Sequence, residues 1–161
     1  MLKIIKYPDT FLRKASQPIN RFDGDLKEMA MAMAQTMYTD DGIGLAGPQV
    51  GLSQQIVVMG DRNGHSYTVY VNPEVTFFSK DKTVTEEGCL SLPQIFGLVR
   101  RSKQIHIKYK DLDGQSHKEK IKGFQAIVLQ HEIDHLNGIL FIDRAERITK
   151  GQEILDKLKN D

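Results

Sequence analysis

The segment Phe124–Leu136 constrains the fold most, because its apolar residues occupy nearly the whole circumference of a predicted helix. A helix that is apolar almost all round has no side suited to water and must be buried. Asn137 and Gly138 follow it as a stop signal. The sequence therefore predicts a central helix that the rest of the chain surrounds.

The same helix carries the pattern His-Glu-x-x-His at residues 131–135. Positions four apart lie on one helix face, one turn apart, so His131 and His135 can reach one metal ion. Glu132 lies beside the first histidine, where a carboxylate can contact a metal-bound water without occupying a coordination position. A surface helix with two chance histidines fits poorly, because burying two imidazoles and a carboxylate is costly without partners. We predict two metal ligands and a proton shuttle.

A catalytic metal site usually has three protein ligands and one open position. Cys89 is the single cysteine of the chain and lies in the turn-like stretch Glu-Gly-Cys-Leu-Ser, where Gly88 lets the backbone approach closely. Its thiol would coordinate as thiolate. An isolated cysteine is often just a small buried apolar side chain, so the residues alone leave both interpretations of Cys89 open.

A third segment, residues 42–51, contains four glycines and no charged residue. Such a stretch indicates a backbone that runs close to a ligand or to another strand. It lacks Gly-Lys-Ser/Thr, so a phosphate-binding loop is not supported. Gln49 can donate its amide N–H to an oxyanion. An ordinary tight loop explains the glycines equally well.

The remaining pattern predicts both helices and strands. Leu26, Ala30, Met33 and Met37 follow helical spacing within residues 25–38, with Asp25 as the expected N-cap. Strand-like runs are residues 55–59, 67–71, 75–78, 105–110 and 116–121, the last two forming a hairpin. A last helix is expected over residues 150–159. This order of elements indicates an α+β fold.

Composition excludes several classes of protein. The 22 basic and 21 acidic residues leave a net charge of +1, whereas a nucleic-acid binder normally has a basic excess, so no direct nucleic-acid site is expected. No run of apolar residues is long enough for a membrane span. The start is too charged for a signal peptide. A lone cysteine forms no internal disulfide, which favours a cytoplasmic protein. Without repeats or linkers, residues 1–161 are expected to form a single catalytic domain.

Taken together and in this order, the three segments resemble peptide deformylase. That family has a Gly-x-Gly-Leu-Ala-Ala-x-Gln loop, a Glu-Gly-Cys-Leu-Ser turn and a Gln-His-Glu-x-Asp-His-Leu helix, which correspond here to residues 42–49, 87–91 and 130–136. Residues 7–9 and 12–14 also look like the family's opening. Gly47 stands where the family usually has a second alanine, an exchange expected to loosen the loop. Phe96 occupies a region that is often polar or basic in relatives.

The resemblance implies antiparallel sheets packed around the metal-binding helix, with an N-terminal and a C-terminal helix. It implies Cys89 as the third ligand of one divalent ion, Fe²⁺ expected, with Zn²⁺, Ni²⁺ or Co²⁺ as substitutes. The implied reaction removes the N-formyl group from the formyl-methionine of nascent peptides and releases formate. The family also implies that the Gln49 amide and the Leu90 backbone N–H meet the oxyanion.

By the same resemblance, formyl-methionyl nascent peptides are the expected partners, and the ribosome is a further candidate partner. The peptide is expected to lie extended along the Gly-rich loop. Expected substrate-binding residues are Ile43, Gly44, Gly88, Ile127 and Val128, with Ile43, Ile127 and Val128 lining the pocket for the methionine side chain.

Two rival functions use the same residues. A peptidase of the His-Glu-x-x-His class would cleave peptide bonds, but such enzymes more often take a third His or Glu ligand. A non-catalytic metal module would need a fourth protein ligand, and no further Cys or His lies beside the site in the sequence. Assays on formylated and unformylated peptides distinguish a deformylase from the peptidase. An exchangeable metal-bound water distinguishes an open catalytic site from the closed, non-catalytic module.

Overall fold

The computed structural model describes residues 1–61, 63–64 and 66–160. The helices are α1 (Gly24–Thr39), α2 (Phe124–Leu136), α3 (Phe141–Arg144) and α4 (Gln152–Asn160). The strands are β1 (Gly44–Ala46), β2 (Ile56–Gly60), β3 (Tyr67–Phe78), β4 (Lys82–Cys89), β5 (Leu92–Ser102), β6 (Gln104–Lys110), β7 (Ser116–Lys122) and β8 (Arg147–Lys150). Short 3-10 turns span Thr10–Arg13 and Gly47–Val50.

The strands form two antiparallel sheets. The larger sheet has the order β1-β2-β3-β6-β7, and the smaller has the order β4-β5-β8. The predicted hairpin is present, with Gln104 of β6 opposite Lys122 of β7 and Lys110 opposite Ser116. In each sheet the central strands are hydrogen-bonded to a neighbouring strand on both sides, so β1, β4, β7 and β8 are the edge strands.

Helix α2 lies between the two sheets and contacts strands of both. One face of the larger sheet packs on α2, where Leu129, Tyr70 and Ile107 belong to one apolar cluster. The opposite face packs on α1 through a second apolar cluster that includes Met33 and Met37. A third cluster lies under the smaller sheet. The expected α+β architecture around a buried helix is confirmed. Among the described residues, no helix is long and apolar enough to cross a membrane.

The bounds of α2 agree with its predicted range, and α1 extends the prediction by one residue at each end. The expected N-cap of α1 is wrong, because the side chain of Asp23 accepts the hydrogen bond from Leu26 N at 3.1 Å, while Asp25 lies inside the first turn. The two predicted runs 67–71 and 75–78 are one strand, β3, whose pairing with β6 is irregular between Val71 and Glu74.

Strands β4 and β5 were not predicted from the sequence. β4 is mostly polar, with Val84 as its one branched aliphatic residue, and β5 contains Pro93 and Gly97. Proline and glycine within a segment argue against predicting it as a strand. Both form because β4 pairs with β5 and β5 pairs with β8. The turn-like stretch around Cys89 is therefore the end of β4 followed by a tight turn into β5.

Gly47 is buried at the start of a 3-10 turn in the Gly-rich loop. A Cβ at this position would lie 2.6 Å from the carbonyl oxygen of Gln54 and 3.1 Å from that of Leu52. Both atoms belong to the backbone, which cannot move aside as a flexible side chain does. The expectation that glycine loosens this loop is therefore wrong, because the missing methyl group allows a closer backbone packing.

We expect Gly47→Ala to lower the free energy of unfolding by about 1–3 kcal/mol, because the added methyl group overpacks a buried site. Urea denaturation at fixed metal loading measures the change. Gly24→Ala is the matched control, since a Cβ at Gly24 meets no atom within 4 Å, and its stability should be equal or slightly higher. Equal stability of the Gly47→Ala variant and the unaltered chain would contradict the packing argument.

Candidate metal centre

Three side chains from distant parts of the chain converge beside α2. One ligand atom each from Cys89, His131 and His135 lies within 4.8 Å of the others. Cys89 stands at the end of β4, and the two histidines stand one turn apart on α2, with ring centroids 5.1 Å apart. The spacing of the two histidines on one helix face is therefore as the sequence predicted.

The donor set fits a divalent metal ion. Thiolate and imidazole are the ligands that zinc and similar ions prefer. A tetrahedral ion bonded at about 2.3 Å to sulfur and about 2.0 Å to nitrogen holds those atoms roughly 3.5 Å apart. Cys89 Sγ lies 3.4 Å from His135 Nε2. The separation of these two atoms is thus close to the one that a shared ion requires.

Glu132 is a buried carboxylate beside these ligands. Its Oε1 lies 3.7 Å from His131 Nε2, and its Oε2 has no hydrogen-bond partner among the described residues. Burial raises the pKa of Glu132 to about 7. A carboxyl with a pKa near 7 and a free oxygen can both accept and return a proton.

Gly44 of β1 allows the larger sheet to approach this carboxylate. A Cβ at Gly44 would lie 2.9 Å from Glu132 Cγ and 3.0 Å from a methyl group of Val128. The glycine therefore places the backbone of an edge strand directly against the candidate proton shuttle.

The orientation of His131 is fixed by a second carboxylate. His131 Nδ1 lies 2.8 Å from Glu87 Oε1, so the tautomer protonated at Nδ1 donates to Glu87 and leaves Nε2 for a metal. Burial alone would raise the pKa of Glu87, but hydrogen bonds from His131 and Arg101 outweigh it and lower the pKa below its ordinary value. Glu87 is therefore an ionised acceptor at neutral pH.

Arg101 links Glu87 to α2, the helix that carries the two histidines. Its guanidinium donates two hydrogen bonds to Glu87, at 2.6 and 2.9 Å, and one to Asp134 at 2.9 Å. Arg144 donates two more to Asp134 from the outer side, at 2.7 and 3.0 Å. The side chain of Arg101 is only 3% exposed, so this is a buried network of charges in which every carboxylate has a cationic partner.

The two ligand histidines differ electrostatically. Burial would lower the pKa of His131, but Cys89 and Glu87 raise it well above its ordinary value. Burial and the neighbouring His131 lower the pKa of His135 well below its ordinary value. His135 is therefore neutral at pH 7, which is the form in which an imidazole binds a metal.

Gln49 lies beside the thiol of Cys89, in the 3-10 turn Gly47–Val50. It is 1% exposed, and its Nε2 donates to Ser91 Oγ at 3.1 Å and to Cys89 Sγ at 3.4 Å. Its Oε1 accepts from Ala46 N at 3.0 Å. The amide nitrogen is thus held between Ser91 and Cys89, the latter a candidate metal ligand.

A cavity of about 1140 Å³ opens onto the cluster. The predicted substrate-binding residues all line it, as do Gln49 and Leu90; they are Ile43, Gly44, Gly88, Ile127 and Val128. Phe96 also lines the cavity, with its ring against Gly88, where a Cβ would lie 2.6 Å from the ring. Phe124 and Thr85 are among the other residues that line the cavity.

Sequence reasoning missed the roles of Glu87, Arg101 and Asp134. Two of them lie inside the motifs, Glu87 two residues before Cys89 and Asp134 one before His135. A metal-binding histidine usually donates its second N–H to a carboxylate, so an acidic residue beside Cys89 was a detectable signal. No sequence signal pointed to Arg101, whose partners are 14 and 33 residues away along the chain.

Comparison with known protein sequences shows which family this chain resembles. The sequence model of the polypeptide deformylase family matches residues 1–151. A peptide deformylase from Thermotoga sp. strain RQ2 is 43% identical over 159 residues, 97% of this chain and 96% of that protein. Another, from Maricaulis maris, is 41% identical over 160 residues, 98% of this chain and 91% of that protein.

Solved structures agree with the sequence comparison. The crystal structure of peptide deformylase from Thermotoga maritima matches with a TM-score of 0.87 and 44% identity, over 91% of this chain and 98% of that chain. A peptide deformylase from Synechococcus elongatus in complex with actinonin matches with a TM-score of 0.89 and 35% identity, over 99% of this chain and 84% of that chain.

We expect Arg101→Met to lower the free energy of unfolding by about 3–5 kcal/mol, because it leaves the buried carboxylate of Glu87 without its cation. Denaturant unfolding measures the loss. The neighbouring Arg100→Met is the matched control. Arg100 is half exposed and pairs with Glu146 on the surface, so its loss should cost no more than about 1 kcal/mol. Similar losses in both variants would contradict a special role for the buried network.

Proposed function

The chain belongs to the polypeptide deformylase family, and we propose that Cys89, His131 and His135 hold the metal ion with which it works. As a peptide deformylase, it is an enzyme that removes the N-formyl group from nascent peptides. The observation that supports the ligand assignment is the approach of the three ligand atoms to within 4.8 Å of one another, beside a buried carboxylate.

A divalent ion at this site supplies a Lewis acid, which lowers the pKa of water toward neutrality and polarises the formyl carbonyl. Glu132 takes the proton of the attacking water on its free Oε2. It then delivers that proton to the nitrogen of the departing amine, so that water is divided between formate and the new amino terminus. Glu87 keeps the His131 ring in the orientation that this step requires.

The oxyanion that forms on the formyl group needs hydrogen-bond donors. We assign this role to the Nε2 amide of Gln49 and to the backbone N–H of Leu90. Gln49 is held in place by the Ala46 N–H and by Ser91. Because its partners fix the amide before the substrate arrives, little reorganisation accompanies the reaction.

The peptide is proposed to lie between two edge strands. Gly44 on β1 and Gly88 on β4 both line the cavity, and each strand is at the edge of its sheet. An extended peptide can add to such edges through main-chain hydrogen bonds. Ile43, Ile127 and Val128 form the apolar wall that we assign to the methionine side chain.

Three finer assignments belong to this proposal. We expect Fe²⁺ to be the ion bound in the cell. Zn²⁺, Ni²⁺ and Co²⁺ suit the same ligands, so the availability of each ion in the cell decides which one occupies the site. A cytoplasmic location suits a thiolate ligand, which oxidation would destroy. The ribosome stays a candidate partner, since the substrate is a nascent chain.

A formate-release assay tests the activity directly. The chain, purified without oxygen and loaded with one equivalent of Fe²⁺ or Co²⁺, should release formate from formyl-Met-Ala-Ser. It should leave unformylated Met-Ala-Ser intact. Cleavage of a peptide bond in either substrate, without formate release, would instead indicate a peptidase.

We expect Glu132→Gln to keep one equivalent of metal and to lose about 10²–10⁴-fold in kcat, because the amide cannot carry the proton. Metal analysis and steady-state kinetics measure the two properties separately. Glu146→Gln is the control, since Glu146 is a surface residue paired with Arg100. Full activity of Glu132→Gln would remove Glu132 from the mechanism.

We expect Gln49→Leu to reduce kcat by about 10²–10³-fold, with a smaller change in KM, because it removes one oxyanion donor. Gln54→Leu, at an exposed position three residues after this loop, is the control. The metal content of both variants must be equal for the comparison to hold. An unchanged kcat would exclude the Gln49 amide from the transition state.

A further inference from the structure

Residues 2–7, which we call the N-terminal segment, contact the apolar clusters of both sheets. Ile4 is buried in the cluster that joins α1 to the larger sheet. Ile5 and Tyr7, which are half-buried, pack against the cluster under the smaller sheet. The segment is also tied to α1 through a hydrogen bond from Leu2 N to a threonine side chain, at 3.0 Å. The N-terminal segment therefore connects the packing of the two sheets.

Two backbone N–H groups of this segment donate to the two loops that carry the proposed oxyanion donors. Ile5 N donates to the carbonyl oxygen of Gln49 at 2.7 Å. Tyr7 N donates to the carbonyl oxygen of Ser91 at 2.8 Å. Gln49 supplies one proposed donor, its side-chain amide. Ser91 directly follows Leu90, whose backbone N–H is the other. One short segment thus holds the backbone next to both donors.

Neither loop is fixed by a regular element of secondary structure. Gln49 lies in the 3-10 turn Gly47–Val50, and short 3-10 turns have poorer hydrogen-bond geometry than an α-helix. Ser91 lies in the turn between β4 and β5, where the register of pairing shifts between Glu87 and Cys89. Such an irregularity disrupts the ladder of hydrogen bonds locally. Contacts from outside each loop are therefore needed to set its position.

The two donors also belong to different sheets. The loop of Gln49 follows β1 of the larger sheet, and Leu90 follows β4 of the smaller sheet. Hydrogen bonds within either sheet therefore do not set the distance between the donors. The side-chain contact from Gln49 Nε2 to Ser91 Oγ, at 3.1 Å, joins the two loops once. The N-terminal segment joins them a second time, through the backbone.

We propose that Ile5 and Tyr7 are positioning residues for the deformylation reaction and act through their backbone N–H groups. Their hydrogen bonds hold the Gln49 amide and the Leu90 N–H at the separation at which both meet one oxyanion. This role rests on the proposed function, in which these two groups are the donors. Donors stabilise a developing charge best when they are fixed before the reaction, and a misplacement of about 1 Å can cost about 10²-fold in rate.

A purely structural role of the two hydrogen bonds would have different consequences. If they served only to satisfy buried backbone groups, their loss would lower the stability of the fold without a selective effect on one step of catalysis. Loss of positioning instead lowers kcat, because the oxyanion forms only during the reaction. KM and the metal content then stay close to those of the unaltered chain.

The first test uses Ile5→Pro, which removes the N–H that donates to the Gln49 carbonyl. With one equivalent of metal bound, kcat for formyl-Met-Ala-Ser should fall about tenfold, while KM changes by no more than about twofold. Ile5→Ala loses packing but keeps the N–H, so its loss of kcat should be clearly smaller. Lys3→Pro is the matched control, because Lys3 is exposed and its N–H has no acceptor among the described residues. Its kcat should be unchanged.

A double-mutant cycle with Gln49→Leu separates positioning from general damage. When the Gln49 amide is absent, no pair of donors is left to align. In the Gln49→Leu background, Ile5→Pro should therefore lower kcat by less than about twofold, against about tenfold in the unaltered chain. Independent effects of the two substitutions would instead multiply.

A second change removes the other hydrogen bond without altering a side chain. Replacing Tyr7 by its α-hydroxy acid converts the amide bond between Lys6 and Tyr7 into an ester, which has no N–H to donate to the Ser91 carbonyl. This variant decides the question even if Ile5→Pro does not fold or does not hold metal. We expect its kcat to fall about fivefold or more at full metal content, because the turn that carries Leu90 loses its anchor.

Several results would overturn the proposal. Equal losses of kcat in Ile5→Pro and Ile5→Ala would assign the effect to packing. Full multiplication of the Ile5→Pro and Gln49→Leu effects, or an unchanged kcat in the Tyr7 ester, would exclude positioning of the donor pair. If Gln49→Leu itself keeps full activity, the oxyanion assignment fails, and this role fails with it. If only the changes at Ile5 and Tyr7 have no effect, the oxyanion assignment stands without them.

Discussion

The guanidinium of Arg101 is the interaction on which the candidate site depends. It reaches Glu87 on one side and Asp134 on the other, in surroundings where its side chain is almost entirely buried. Glu87 belongs to the strand that ends in Cys89, and Asp134 belongs to the helix that carries the two histidines. A buried charge is tolerated only with partners. One cation thus joins the two parts of the chain that carry the candidate metal ligands.

The same network sets the protonation of the ligands. Because Arg101 keeps Glu87 ionised, Glu87 accepts the Nδ1 proton of His131 and leaves the other ring nitrogen toward Cys89. Glu132, on the adjoining side of the helix, has no such cation within hydrogen-bond distance among the described residues, and burial raises its pKa to about 7. Two buried carboxylates in one site are therefore held in different states by their neighbours. The ionised one positions a ligand, and the other can exchange a proton.

The sequence predicted those features that are determined locally. The helix α2 and the shared face of His131 and His135 follow from helical periodicity, which needs no knowledge of the rest of the chain. Cys89 could not be placed by spacing, because its approach to the helix results from pairing between β4 and β5. The two strands themselves were missed, since a polar strand and one with Pro93 gain their stability from cross-strand partners. Arg101 was missed for the same reason, because its burial exists only in the assembled sheet.

The Gly-rich loop shows that glycine content can indicate a close backbone contact without identifying the group that is contacted. Four glycines indicated a close approach of the backbone, to a ligand or to the protein itself. At Gly47 the neighbour is the backbone of Leu52 and Gln54, which is the tight-loop explanation. At Gly44 it is the side chain of Glu132, in the wall of the cavity. One motif therefore serves two purposes, packing at Gly47 and, at Gly44, close approach to the carboxylate that we propose as the proton shuttle. The assignment at each position requires the tertiary neighbours, which composition cannot supply.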